Sequence, residues 1–223
     1  MKVIVTGSTG YVGGEVVRQA IADERITHVF ALTRKPLPED LAKSPKLTVI
    51  EHKDFSTYPP ELLAQLAGAE ACIWTLGGRA YQFPDVETAR KVSVDYTLAA
   101  AKAFIDVLAP QLPAGQKFRF LFCSGRWAEM DEKKNMRMLA DTRRIKGQVE
   151  KGLCDLADAN PDKLETWSVR PGAIMRKHAG LMNLLTANTS GFIGLDHLAK
   201  AMLTIIVNGH KDRIIETEEL LKI

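Results

Sequence analysis

Two short stretches carry residue types that chemistry needs, at spacings that chemistry can use. In TGSTGYVG, residues 6–13, glycines recur at 7, 10 and 13, so the backbone can bend tightly and come close to a bound group. A helix opening there would aim amide N–H groups and the positive end of its dipole at an anion, with Thr9, Tyr11 and Val12 supplying amides. Far downstream, TRRIK at 142–146 sets the hydroxyl of Thr142 one helical turn ahead of the amine of Lys146. Ser124 stands before both, at the end of the apolar run KFRFLFC.

These residues need a scaffold, and the sequence alternates apolar β-branched runs with helical patterns from end to end. Strands are predicted at 2–6, 27–33, 47–50, 70–76, 117–123 and 165–170. Helices are predicted at 11–23, 60–67, 86–108, 136–159 and 196–208, and IIETEELLKI adds a short strand and a final turn. Such alternation is the pattern of a doubly wound parallel α/β sheet, a Rossmann fold with helices on both faces. The Pro and Gly clusters at 36–38, 59–60 and 171–172 fall where strands and helices join, and no linker or repeat divides the chain. The expectation is one domain, residues 1–223.

Composition narrows the function classes. With 26% charged and 46% hydrophobic residues, the chain is an ordinary folded protein. A net charge of +3 with scattered basic residues predicts no nucleic-acid surface. No apolar run approaches the roughly 18 residues a membrane helix needs, and MKVIVTGSTG runs straight into the glycine motif, so neither membrane association nor a signal peptide is expected. A cytoplasmic location follows as the expectation. Cys72, Cys123 and Cys154 lie far apart in apolar stretches without a CxxC pair, which suits structural thiols and predicts no metal site.

The glycine turn has the context of a dinucleotide site. A strand precedes it, a helix follows at once, and a second strand begins about twenty residues on. That second strand ends in Thr33-Arg34-Lys35, where an NAD site usually places an acidic residue on the ribose 2′-OH. Two cations suit a 2′-phosphate instead, so NADP is expected ahead of NAD.

GxxGxxG at 7–13, TRKP at 33–36, HKDF at 52–55 and RPGAI at 170–174 together resemble the short-chain dehydrogenase/reductase superfamily. The chain is most similar to its atypical branch, the TIP30/CC3-like and NmrA-like groups of NAD(P)-binding proteins. VDYTLAAAKAF at 94–104, IKGQVEKGL at 145–153 and GLDHLAKAMLTIIVNG at 194–209 resemble later helices of the family, in the family's order. The resemblance implies that Gly7, Thr9, Gly10, Tyr11, Val12 and Gly13 hold the pyrophosphate, and Arg34 and Lys35 the 2′-phosphate. It places Asp54 and Phe55 at the adenine, Thr75, Leu76 and Gly77 along the nicotinamide half, and Pro171, Gly172, Ala173 and Ile174 beside the carboxamide.

The family's reductases use a Tyr as proton donor, a Lys one turn later that lowers the Tyr pKa and holds the ribose, and a Ser that positions the carbonyl. The resemblance assigns Ser124 and Lys146 to two of these roles, but Thr142 stands four residues before the lysine. Every tyrosine, at 11, 58, 81 and 96, precedes Ser124. An aliphatic hydroxyl is a far weaker acid than a phenol of pKa about 10. Candidates for the missing role are Tyr81 in GGRAYQFPD, His178 just past RPGAI, and Lys146 itself.

The expected function is therefore an NADP-dependent oxidoreductase acting on a small, mostly apolar carbonyl or enone. The alternatives are a dinucleotide sensor that has lost the acid, or an isomerase or cyclase using the same pocket. Substrate selection is expected from a small lid formed by residues 125–141 and 175–194, with Leu181, Met182, Leu184 and Leu185 facing the pocket. The protein is expected as a monomer or a homodimer, with helices 86–108 and 136–159 as the surfaces for pairing.

Overall fold

The computed structural model describes residues 1–131, 133–175 and 191–223. The chain builds β1 (Lys2–Thr6), α1 (Tyr11–Ala22), β2 (His28–Thr33), α2 (Glu39–Ala42), β3 (Leu47–Glu51), α3 (Pro60–Gln65) and β4 (Ala71–Trp74). It continues through α4 (Val86–Arg90), a π turn (Lys91–Asp95), α5 (Tyr96–Val107), β5 (Phe118–Cys123), α6 (Ala140–Ala159) and β6 (Leu164–Arg170). Beyond these come β7 (Ala173–Met175), β8 (Phe192–Gly194), α7 (Leu195–Asn208), β9 (Ile214–Glu216) and α8 (Thr217–Leu220).

Seven strands form one sheet in the order β3-β2-β1-β4-β5-β6-β9, every neighbouring pair parallel. A parallel sheet of this kind is covered on both faces, so its strands are apolar throughout rather than alternating. Val3, Ile4 and Val5 in β1 and Ala71, Cys72, Ile73 and Trp74 in β4 are all fully buried. On one face Leu62, Phe104, Ile105, Val149 and Leu153 of α3, α5 and α6 pack on Trp74, Phe118 and Phe120. On the other, Val16 and Val17 of α1 meet Met202, Ile205 and Ile206 of α7 over Val3, Val5 and Ile73. The strand order turns back between β1 and β4, and the crevice at such a switch point is where this architecture binds ligands.

The elements depart from the sequence expectation in places with identifiable causes. The helix expected over 86–108 is broken by the π turn at Lys91–Asp95. The helix expected from 136 starts at Ala140, because Leu139 ahead of it is left-handed at φ 51°. The strand expected over 70–76 stops at Trp74, and Thr75 turns to donate from Oγ1 to the carbonyl of Thr6 at 2.7 Å. β7 and β8, three residues each, pair as a separate ribbon, too short to show a period in sequence.

Candidate functional site

The crevice at the switch point begins with the glycine turn between β1 and α1. Gly7 is left-handed at φ +66°, and the amide of Gly10 donates to its carbonyl at 2.8 Å. A Cβ on Gly13 would stand 2.3 Å from the carbonyl oxygen of Gly7 and 2.5 Å from Thr75 Oγ1, so the turn closes only without side chains. No side chain caps the first turn of α1, which leaves it to a ligand to complete that helix end. Ser8 Oγ is buried beside the turn without a hydrogen-bond partner. A bare glycine cradle at a helix N-terminus fits a pyrophosphate, and these residues fit a dinucleotide.

Two cavities meet at this cradle. The larger, about 600 Å³, is lined by Gly7, Gly10, Tyr11, Val12 and Gly13 from the turn, by Thr75, Leu76 and Gly77 after β4, by Ser124 after β5, by Thr142 and Lys146 on α6, and by Pro171, Gly172, Ala173 and Ile174 after β6. The smaller, about 120 Å³, is lined by Gly7, Thr9, Leu32, Thr33, Arg34, Lys35, Phe55 and Leu76. Gly7 and Leu76 lie on both walls, so the two form a continuous crevice. Asp54, expected at the adenine, lies on neither wall. Its carboxylate closes a turn by accepting from the Ser56 hydroxyl and from the Ser56 amide at 2.9 Å, and these two bonds, the hydroxyl's first, hold it below the usual carboxylate pKa.

The far end of the larger cavity carries the reactive groups. Ser124 Oγ is buried on the wall with no hydrogen-bond partner. Lys146 Nζ donates to the carbonyls of Ser124 at 2.7 Å and Cys123 at 3.2 Å and lies 5.4 Å from the centre of the Phe122 ring. Burial depresses its pKa below the ordinary lysine value, and Arg79 adds to the depression against the opposing pull of Cys123 and Glu150. One turn earlier Thr142 is buried, and its Oγ1 accepts from the amide of Ala80 at 2.8 Å. It is a tether between α6 and the loop after β4 rather than a helix-surface residue.

Tyr81 is 64% exposed and off the cavity wall, its hydroxyl accepting from Arg79 Nη1 at 2.7 Å. The one tyrosine on the wall is Tyr11, which donates to the carbonyl of Ile174 at 3.4 Å. His178 lies outside the described residues, as do Leu181, Met182, Leu184 and Leu185.

Several residues on the wall were not named individually from the sequence, although 126–128 and 139 lie in the segment 125–141 expected to select substrate. Arg79, Gln82 and Ser93 come from the region after β4, Arg126, Trp127 and Ala128 from the turn after β5, and Leu139 and Arg143 from the start of α6. Gly147 makes their arrangement possible. A Cβ there would lie 1.8 Å from the carbonyl oxygen of Glu129, so the backbone after β5 rests directly on α6. The position of GRW straight after a strand was the available signal, but nothing local to it reveals that α6 closes against it. α6 is fixed in turn by Glu150, fully buried, which accepts from Arg170 Nε at 2.9 Å and from Nη2 at 2.5 Å, while Arg170 Nη1 reaches Glu216 at 2.8 Å.

Fold and crevice together define a dinucleotide-binding protein of the Rossmann type. Residues 7–208 match the family model described as NAD(P)H-binding, and the chain belongs to that family. Leucinostatins biosynthesis cluster protein T of Purpureocillium lilacinum is 34% identical over 128 residues, 56% of this chain and 42% of that protein, so the match spans less than half of the relative. Among solved structures, Gre2 from Candida albicans in complex with NADPH superimposes with a TM-score of 0.73 at 17% identity, covering 100% of this chain and 81% of that one. Carbonyl reductase Sniffer of D. melanogaster gives 0.73 at 16% identity, over 98% and 97% of the two chains. The dTDP-glucose 4,6-dehydratase DesIV from Streptomyces venezuelae, with NAD and TYD bound, gives 0.72 at 16%, over 97% and 75%. At these identities the likeness is one of fold. Among the described residues no helix is long and apolar enough to cross a membrane, and no group of three or more His, Cys, Asp or Glu could hold a metal ion.

Proposed function

We propose that this chain is an NADP(H)-dependent oxidoreductase of the cytoplasm that moves a hydride between the cofactor and a small carbonyl or enone compound, with residues 1–223 acting as one domain. The observation that carries the reading is the buried, unpartnered Ser124 Oγ beside Lys146, on the wall of a cavity continuous with the glycine cradle. When bound, a reduced nicotinamide supplies a hydride. The rest of the chemistry falls to this chain. Two of the three N–H donors of Lys146 are held by main-chain carbonyls, leaving one for an oxygen in the cavity. Ser124 donates its hydroxyl to the same oxygen and orients it.

Thr142 occupies the place where the superfamily resemblance expects tyrosine, and its alcohol is too weak an acid to replace one. Its bond to Ala80 positions the loop that carries Arg79. Proton delivery is assigned to Lys146, whose burial makes it a stronger acid than an ordinary lysine. Preference for NADP over NAD is assigned to Arg34 and Lys35, exposed on the rim of the smaller cavity where no acidic side chain lines the wall.

The test is a titration with NADPH and NADH, followed by NADPH oxidation across a panel of enones, quinones and ketones. Tight NADPH binding with turnover supports the reading. Tight binding with no turnover on any member overturns the enzymatic part and leaves a dinucleotide sensor, the reading favoured by the missing tyrosine.

A further inference from the structure

The reactive end of the larger cavity carries charge of one sign. Among the described residues its wall holds Arg79, Arg126, Arg143 and Lys146 and no Asp or Glu. The cofactor phosphates do not account for these cations, because the glycine turn and the Arg34–Lys35 rim already provide for them.

The three guanidinium groups are held in place, and the carboxylates that reach two of them, Glu218 toward Arg126 and Glu129 toward Arg143, lie off the cavity wall. Arg143 Nε donates to the carbonyl of Trp127 at 2.7 Å, and Arg79 Nη1 donates to the Tyr81 hydroxyl. Arg126 lies 5.0 Å from the centre of the Trp127 ring, and its carboxylate contact among the described residues is Glu218 at 3.6 Å, half exposed and off the wall. An arginine has five N–H donors in a planar fork, so most remain available. Trp127 itself is held left-handed at φ 64°, a conformation rare for a bulky residue and found where surroundings impose it. Trp127 is 55% exposed and Leu139 46%, and both lie on the cavity wall.

We propose that the substrate is an oxo acid: a carbonyl or enone compound that bears a carboxylate, held by Arg126 and Arg143 with Arg79 nearby, and an apolar body laid on Trp127 and Leu139. This rests on the function proposed above for the location of the reacting carbonyl. The fork of an arginine matches a carboxylate in two parallel hydrogen bonds, and like cations crowded in a cleft repel one another until an anion arrives.

The experiment measures equilibrium binding to the full chain, free and loaded with NADP⁺, by calorimetry and tryptophan fluorescence. The probes are benzoate, benzoylformate and phenylpyruvate, each against its methyl ester, with phenyl phosphate as a separate anion. At least one acid should bind tenfold or more tighter than its ester, with an affinity that falls as salt rises. The Arg126→Gln/Arg143→Gln double variant should lose that preference while NADP⁺ affinity stays at the parent value. Should the double variant fail to fold, Arg79→Gln on the exposed loop decides, with a partial loss of preference expected. The inference is overturned if no acid outbinds its ester, if the preference survives these variants, or if phenyl phosphate outbinds every acid. Loss of NADP⁺ binding by the parent chain would instead overturn the cofactor reading, and the two failures are thus separable.

Discussion

The two ends of the crevice are built by opposite means. At the glycine turn the chain positions a ligand by having no side chains, and Gly7, Gly13 and Thr75 lie so close that a single Cβ would collide with backbone. At the β5–α6 end it positions by crowding side chains, with Arg126 from the turn after β5 meeting Arg143 and Lys146 of α6, and Trp127 and Leu139 in left-handed geometry. The first end is a steric solution centred on eight consecutive residues, closed by Thr75 after β4. The second is an electrostatic one, and it exists only because α6 is pinned where it is.

That contrast can be broken most severely through the pin. Glu150→Gln removes the main partner of Arg170 in a buried ion pair, and the expected loss is about 3 kcal/mol of stability, read by urea unfolding. A loss below about 1 kcal/mol would show that α6 is held by packing alone. Next in size are two glycine substitutions that separate the ends. Gly13→Ala is expected to cost about 2–3 kcal/mol through overpacking and to abolish measurable NADPH binding. Gly147→Ala, whose Cβ would meet Glu129, is expected to destabilise by a similar amount but to disturb substrate affinity while leaving NADPH affinity intact. Equal effects of the two on cofactor binding would erase the distinction.

Lys146→Gln should lower kcat for carbonyl reduction on the order of a hundredfold. In the parent protein the ammonium is the donor, so the rate is full below the Lys146 pKa and falls as pH rises through it. Because burial lowers that pKa, the falling limb lies below the ordinary lysine value, and a pH profile of kcat/KM that stays flat up to that value refutes the assignment. Smaller still, Arg34→Ala should weaken NADPH binding about tenfold and leave NADH unchanged, an effect limited by solvent exposure. Thr142→Val, which leaves the Ala80 amide without an acceptor, should cost about 1 kcal/mol in thermal denaturation, with Thr142→Ser restoring it.

Much of the first end was readable in the sequence. TGSTGYVG lies between a strand and a helix, and a steric requirement for glycine leaves its mark at the positions concerned. The apolar runs of β1, β2, β4 and β5 were equally plain, because strands buried on both faces need continuous apolar sequence. The second end was legible only in part. Ser124 and Lys146 could be named from the family resemblance and Arg126 falls in the segment 125–141 expected to select substrate, whereas that Arg79, Arg126 and Arg143 line one cavity shows only where three segments meet. Asp54 and Tyr81 lie off the two walls for the converse reason: each satisfies a local partner, Ser56 and Arg79, that only geometry identifies.

By itself, then, the sequence determined the parallel α/β architecture and the glycine turn between β1 and α1, since periodicity and glycine spacing are local properties and survive in a linear text. Tertiary structure alone decided which charges share a cavity, that Thr142 is buried as a tether, and that Gly147 lets the turn after β5 rest on α6. Those outcomes depend on distances between residues far apart in the chain, and burial and charge act through distance in space.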